Sequence, residues 1–122
     1  MAKIMIVEDE YLTALDMKEL MARWGHEFCE PAVTGEEAIE RAAAEGPDLV
    51  LMDVKLSGPL DGIQTAMKLR EKSPVPIIFI SGYAEEELRG AIKLPDAAII
   101  TKPIDFNELR GKIEKMLASR KK

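Results

Sequence analysis

Short apolar runs rich in β-branched residues alternate five times with longer stretches of helical periodicity, and this alternation constrains the fold more than any single residue does. Residues 3–7 lead to a helical pattern over 10–24, and a weak strand near 27–31 leads to one over 36–44. Residues 49–52 lead to 62–72, 76–80 to a short helix around 85–92, and 97–100 to 106–119. Runs such as Leu49-Val50-Leu51-Met52 and Ile77-Ile78-Phe79-Ile80 show no polar alternation, so their sheet must be covered on both faces. The pattern predicts an α/β fold: a doubly wound, five-stranded parallel sheet.

Punctuation agrees with that reading. Thr34 stands three residues before Glu37, and Asp105 three before Glu108, each a capping-box spacing. Gly25 follows the first helix and Gly46-Pro47 closes the second, where left-handed or helix-breaking residues are wanted. Met17, Leu20 and Trp24 recur at helical spacing and are expected to face the core. Residues 1–122 have the length of one domain and show no linker or low-complexity tract, so a single domain without an effector domain is expected.

A formal charge of −5, with basic residues clustered only at Arg120, Lys121 and Lys122, argues against direct nucleic-acid binding. A protein partner or a bound cation is the better expectation. The start MAKIMIVEDE has no signal-peptide layout, and the single Cys29 cannot form an internal disulfide, which together point to a reducing cytoplasm. Cys29 reads as a small buried apolar residue. No apolar run approaches the ~20 residues of a membrane helix, so no membrane insertion is expected.

In an open parallel sheet, ligands sit beyond the carboxyl ends of the strands. The residues just past each strand therefore carry the most information: Glu8 and Asp9 after the first, Asp53 after the third, Ser81 after the fourth, Lys102 and Pro103 after the fifth. Clustered carboxylates repel by about 1 kcal/mol per pair at ~4 Å in water, and by more as the dielectric falls. A hard divalent cation relieves that repulsion; Mg²⁺ favours one or two carboxylates, waters and a phosphate. Asp9, Asp53 and a backbone carbonyl near Lys55 would form such a half-shell. Asp53 is then the natural nucleophile for phosphoryl transfer, with Lys102 pairing one phosphoryl oxygen and the Ser81 hydroxyl holding another. Each residue alone has a plainer reading: Asp9 as a helix cap, Lys102 as a solvated lysine, Ser81 as a turn residue before Gly82. Their placement on one rim favours a site.

These residues resemble the receiver domains of two-component response regulators, including stand-alone CheY-like proteins. The carriers are Ile4-Met5-Ile6-Val7-Glu8-Asp9, Pro47-Asp48-Leu49-Val50-Leu51-Met52-Asp53, Asp61-Gly62, Ile80-Ser81-Gly82 and Thr101-Lys102-Pro103. The resemblance implies a flavodoxin-like (βα)5 fold with strand order 2-1-3-4-5. It implies phosphoryl transfer to Asp53 from a histidine kinase or histidine phosphotransferase, with Glu8 and Asp9 serving Mg²⁺ or Mn²⁺ and Ser81 and Lys102 sensing the phosphate. It also implies self-catalysed dephosphorylation, a cis Lys102–Pro103 bond, a downstream protein target, and a monomer or weak phosphorylation-dependent dimer. The face made by the fourth helix, fifth strand and fifth helix would be the output or dimerisation surface.

The sequence also departs from the family pattern. Ile99 occupies the position where most receivers carry an aromatic switch, and Phe79-Ile80-Ser81-Gly82-Tyr83 partly resembles a branch marked by Phe-Ala-Thr-Gly and a tyrosine. Tyr83 is therefore expected to take over the reporting role. The loop from Val54 to Asp61 is one residue longer than is common and moves its proline. Tyr11, Leu12 and Leu15 begin the first helix and cannot all face the core; they would dock a kinase or helix bundle, or lie buried under the following loop. Two rival functions remain: a phosphorylation-independent binding module of the same fold, and a small Mg²⁺-dependent phosphohydrolase. A flavin site is disfavoured because Glu8-Asp9-Glu10 offers no glycine-rich cradle.

Overall fold

The computed structural model describes residues 2–120; Lys121 and Lys122 of the basic tail, and the Arg120 side chain, lie outside the described residues. The chain runs β1 (Lys3–Val7), α1 (Tyr11–Ala22), β2 (Glu27–Phe28), α2 (Gly35–Glu45), β3 (Leu49–Asp53), α3 (Gly62–Lys72), β4 (Ile77–Ser81), α4 (Glu85–Arg89), β5 (Ala98–Thr101) and α5 (Phe106–Arg120). All strand pairs are parallel, in the order β2-β1-β3-β4-β5. The alternation read from the sequence is the alternation of the fold.

Period-two packing explains the unbroken apolar runs. In β1, Met5 and Val7 face one core with Val50, Met52, Ile77 and Phe79, under α2, α3 and α4. Ile4 and Ile6 face the other, with Leu49, Leu51, Ile78 and Ile80, under α1 and α5. Each fully buried aliphatic or aromatic side chain contributes about 1.5–3 kcal/mol, which the two half-covered faces of an exposed sheet could not supply.

Several local expectations are corrected by packing. Leu20 points outward at 39% exposure, because Met21 takes the inward position one step on, and Ala14, Met17 and Met21 form the buried stripe. Trp24 packs against that core as expected. The weak strand shrinks to Glu27–Phe28, since Pro31 lacks the N–H that a continued ladder needs, and pairing resumes only as a Val7–Ala32 bridge. The fourth helix stops at Arg89 with Gly90 as its cap, and Ile92 and Leu94 are buried beyond it in irregular backbone.

The caps are half as predicted. Thr34 accepts the Glu37 N–H at 3.1 Å, but the Glu37 carboxylate reaches back to the Val33 N–H rather than to Thr34. Asp105 accepts from both Asn107 and Glu108, while Glu108 pairs with Lys112 at 4.0 Å instead of closing a box. The reciprocal box belongs to Asp61 and Gln64 at the start of α3. Gly46 closes α2 in the left-handed conformation, as expected.

One glycine fixes the loop that follows Asp53. Gly62 donates its N–H to the Val54 carbonyl at 2.8 Å, and a Cβ there would collide with the Asp53 carbonyl oxygen and the Val54 backbone. The first turn of α3 is thus pressed against the end of β3, which leaves no room for a side chain. Gly62→Ala is expected to cost about 1–3 kcal/mol, because backbone atoms cannot yield as a flexible side chain would. A urea midpoint unchanged from the parent would contradict this close approach.

Candidate functional site

The sheet grows to one side from β1 to β2 and to the other from β1 to β3, so the order reverses at the β1–β3 boundary. Neighbouring crossovers diverge there and leave a crevice beyond the strand ends. Val7 pairs with Met52, so Glu8 and Asp9 leave β1 beside Asp53, the last residue of β3. Asp53 in turn pairs with Ile80, and Ser81 with Thr101, which places Ser81 and Lys102 on the same rim.

The side chains converge as the strand ends do. Carboxylate oxygens of Glu8, Asp9 and Asp53 lie within 4.8 Å of one another. Lys102 Nζ stands 3.6 Å from Asp53 Oδ2, and the Lys55 N–H donates to Asp53 Oδ1 at 3.3 Å. Glu8 and Asp53 are buried while Asp9 is at least partly open to solvent, so the cluster opens on one side. The peptide bond between Lys102 and Pro103 is cis, as the resemblance implied. Ser81 is buried and its hydroxyl oxygen accepts the Tyr83 N–H at 2.9 Å.

Three carboxylates this close cannot all be charged without compensation. Burial first, then a hydrogen bond and charge repulsion from Asp53, push the Glu8 carboxyl up from 4.5 to about 8, with Lys102 pulling the other way. A proton therefore occupies the cluster near neutrality and stands where a cation would otherwise be needed. An all-oxygen, acidic donor set suits a hard divalent ion, and Glu8, Asp9 and Asp53 are the residues that could hold it.

A hollow of about 290 Å³ adjoins Asp53 and is lined by Val54, Lys55, Ser81, Gly82, Tyr83 and Lys102. The longer loop after β3 contributes a contact that the sequence did not disclose: Ser57 Oγ donates to Asp9 Oδ2 at 3.0 Å. Among the residues expected to switch or dock, Ile99 is buried in the core with Leu88 and Ile92, so it presents no surface. Tyr83 is exposed beside the hollow. Tyr11 and Leu12 are exposed, Leu12 at 75%, and Leu15 is half-buried, so the cluster is not covered by the following loop. Pro103 borders a second hollow with Met17, Leu20, Ile104 and Phe106. His26 lies away from the rim, near Arg110 and Glu114, and burial pushes the Cys29 thiol up to about 11, where it is unreactive.

The description "Response regulator receiver domain" matches residues 4–114. The chain belongs to that family. The receiver is similar to the transcriptional regulatory protein PdtaR of Mycobacterium tuberculosis, at 34% identity over 92% of this chain and 55% of PdtaR. It is also similar to the phyllosphere-induced regulator PhyR of Methylorubrum extorquens, at 36% identity over 83% of this chain and 38% of PhyR. The chain therefore spans about half the length, or less, of these curated relatives. By structure, the receiver domain of a modulated diguanylate cyclase from Desulfovibrio desulfuricans superposes with a TM-score of 0.88 at 30% identity, over 99% of this chain and 97% of that one. Receiver domains are signalling phosphoacceptors, and no helix among the described residues is long and apolar enough to cross a membrane.

The raised Glu8 carboxyl has a stability consequence with a definite sign. Between about pH 4.5 and 8 the folded state holds a proton at Glu8 that the unfolded state has lost, so without divalent cations stability falls as pH rises through that window. Thermal midpoints in chelator should show this decline in the parent and a shallower one in Glu8→Gln. Identical slopes in the two proteins would contradict the assignment.

Proposed function

We propose that this receiver accepts a phosphoryl group on Asp53 from a histidine kinase or histidine phosphotransferase, in a reaction that depends on Mg²⁺ or Mn²⁺. The observation that carries the reading is the convergence of the Glu8, Asp9 and Asp53 carboxylates with the Lys102 ammonium at one point. An Asp53 oxygen attacks phosphorus as the bond to the donor nitrogen breaks, and the electron pair leaves with the imidazole. Glu8, Asp9 and Asp53 would hold the divalent ion, which supplies charge stabilisation to the transferring group when bound. Lys102 is already within ion-pairing distance of Asp53 and neutralises a phosphoryl oxygen there. The Ser81 oxygen accepts from Tyr83, which leaves its own O–H to donate to a second oxygen.

The role of the fold is to fix these groups before the donor arrives. Each is carried at or just beyond a strand end, and strand ends are more rigid than loops. Modification of Asp53 then biases protein–protein contacts, with Tyr83, exposed beside the pocket, as the reporting side chain in place of the buried Ile99. Tyr11 and Leu12, exposed at the start of α1, form the docking surface for the phosphodonor.

Incubation with acetyl phosphate and Mg²⁺ should add one phosphoryl group by intact mass in the parent and none in Asp53→Asn. No uptake by the parent would favour a phosphorylation-independent binding module, and turnover of small phosphate esters would favour a phosphohydrolase. For the docking surface, Leu12→Asp should slow transfer from a phosphorylated kinase by about tenfold, equivalent to about 1.4 kcal/mol, while uptake from acetyl phosphate stays unchanged. Equal slowing with both donors would place the defect in the pocket rather than in docking.

A further inference from the structure

Lys55 is the second residue after Asp53, and Tyr83 the second after Ser81, so the two leave adjacent strands β3 and β4 side by side. Their side chains meet across the opening. Lys55 Nζ sits 5.5 Å from the centroid of the Tyr83 ring, within the range in which an ammonium is drawn to an aromatic face. Both residues line the hollow that also holds Asp53, Ser81 and Lys102. The contact joins the loop after β3 to the loop after β4.

Backbone contacts pin the bases of both side chains but not their tips. The Lys55 N–H donates to Asp53 Oδ1 and the Tyr83 N–H to Ser81 Oγ, so each residue is anchored to a group of the site itself. Beyond those anchors both side chains are exposed. Among the described residues no carboxylate lies within ion-pairing distance of the Lys55 ammonium, so the ring holds it without competition.

An exposed aromatic face holds an ammonium weakly, and a charge-assisted hydrogen bond to a phosphoryl oxygen is stronger. Lys102 already occupies the Oδ2 side of Asp53, while the Oδ1 side is where Lys55 begins. Converting the Asp53 carboxylate to a phosphoryl dianion adds negative charge to a site that already holds carboxylates, and Lys102 reaches only the Oδ2 side, so a second amine is drawn in. We infer that Lys55 and Tyr83 form a cation–aromatic latch across the mouth of the pocket, which phosphorylation of Asp53 opens by drawing the Lys55 ammonium onto a phosphoryl oxygen. The freed ring then becomes available to a partner. This inference rests on Asp53 being the phosphoacceptor, and it makes the Lys55 side chain a positioning residue for the switch. It also supplies what a population shift requires, an interaction that differs between the two states.

Lysine labelled with ¹³C at the ε position tests the latch directly, because a methylene held over a ring is shifted upfield. One upfield lysine resonance is expected in the unphosphorylated protein, absent in Lys55→Met and returned to the ordinary lysine position in Tyr83→Leu. Lys55→Arg, which keeps the cation, should preserve the Tyr83 ring shifts that Lys55→Met loses. After acetyl phosphate and Mg²⁺ treatment, with uptake verified by intact mass, the Lys55 signal of the parent should move to the ordinary position. Absence of the upfield signal, or an unmoved signal at full uptake, would overturn the latch alone. Failure of uptake would instead overturn the phosphoacceptor reading, and the latch as a phosphorylation switch with it.

Discussion

Mutual repulsion among Glu8, Asp9 and Asp53 is the constraint on which the rest of this structure turns. Three carboxylates within 4.8 Å of one another are unfavourable unless something positive joins them, and in the metal-free protein that role falls to Lys102 and to a proton on Glu8. Neither compensation is complete. A divalent ion held by the three carboxylates would relieve the repulsion that remains.

The fold sustains that arrangement by rigid means. Parallel registers between β1, β3, β4 and β5 set the four strand ends level, so that residues distant in sequence arrive at one rim. Gly62 presses α3 against the carbonyl of Asp53 and fixes the direction in which the chain leaves β3. The cis bond before Pro103 follows directly on Lys102. Core packing on both faces of the sheet thus positions the chemistry without lending a residue to it.

Much of this was legible in the sequence, and the reason differs from residue to residue. Leu49 to Met52 and Ile77 to Ile80 announce buried parallel strands because nothing polar interrupts them, and the charged residues beyond the strand ends then fall on one rim. The choice between Leu20 and Met21 was not legible, since both are apolar and only the angle at which α1 meets the sheet decides which is buried. The Ser57–Asp9 hydrogen bond and the Lys55–Tyr83 contact arise between irregular loops, where backbone direction is set by tertiary contacts and no periodicity exists to read. The high affinity of Glu8 for its proton depends on burial beside Asp53, which spacing alone does not reveal. The capping box at Asp61 was readable in principle, because glutamine serves at the third position as glutamate does.

The central claim, that three carboxylates share one divalent ion at the phosphoacceptor, is tested most directly by calorimetric titration of Mg²⁺ in buffers of different ionisation enthalpy, near neutral pH. The account predicts one ion per chain, bound with release of the proton held at Glu8, and loss of that binding in Asp53→Asn. Binding unaffected by Asp53→Asn, or without any proton release, would contradict it.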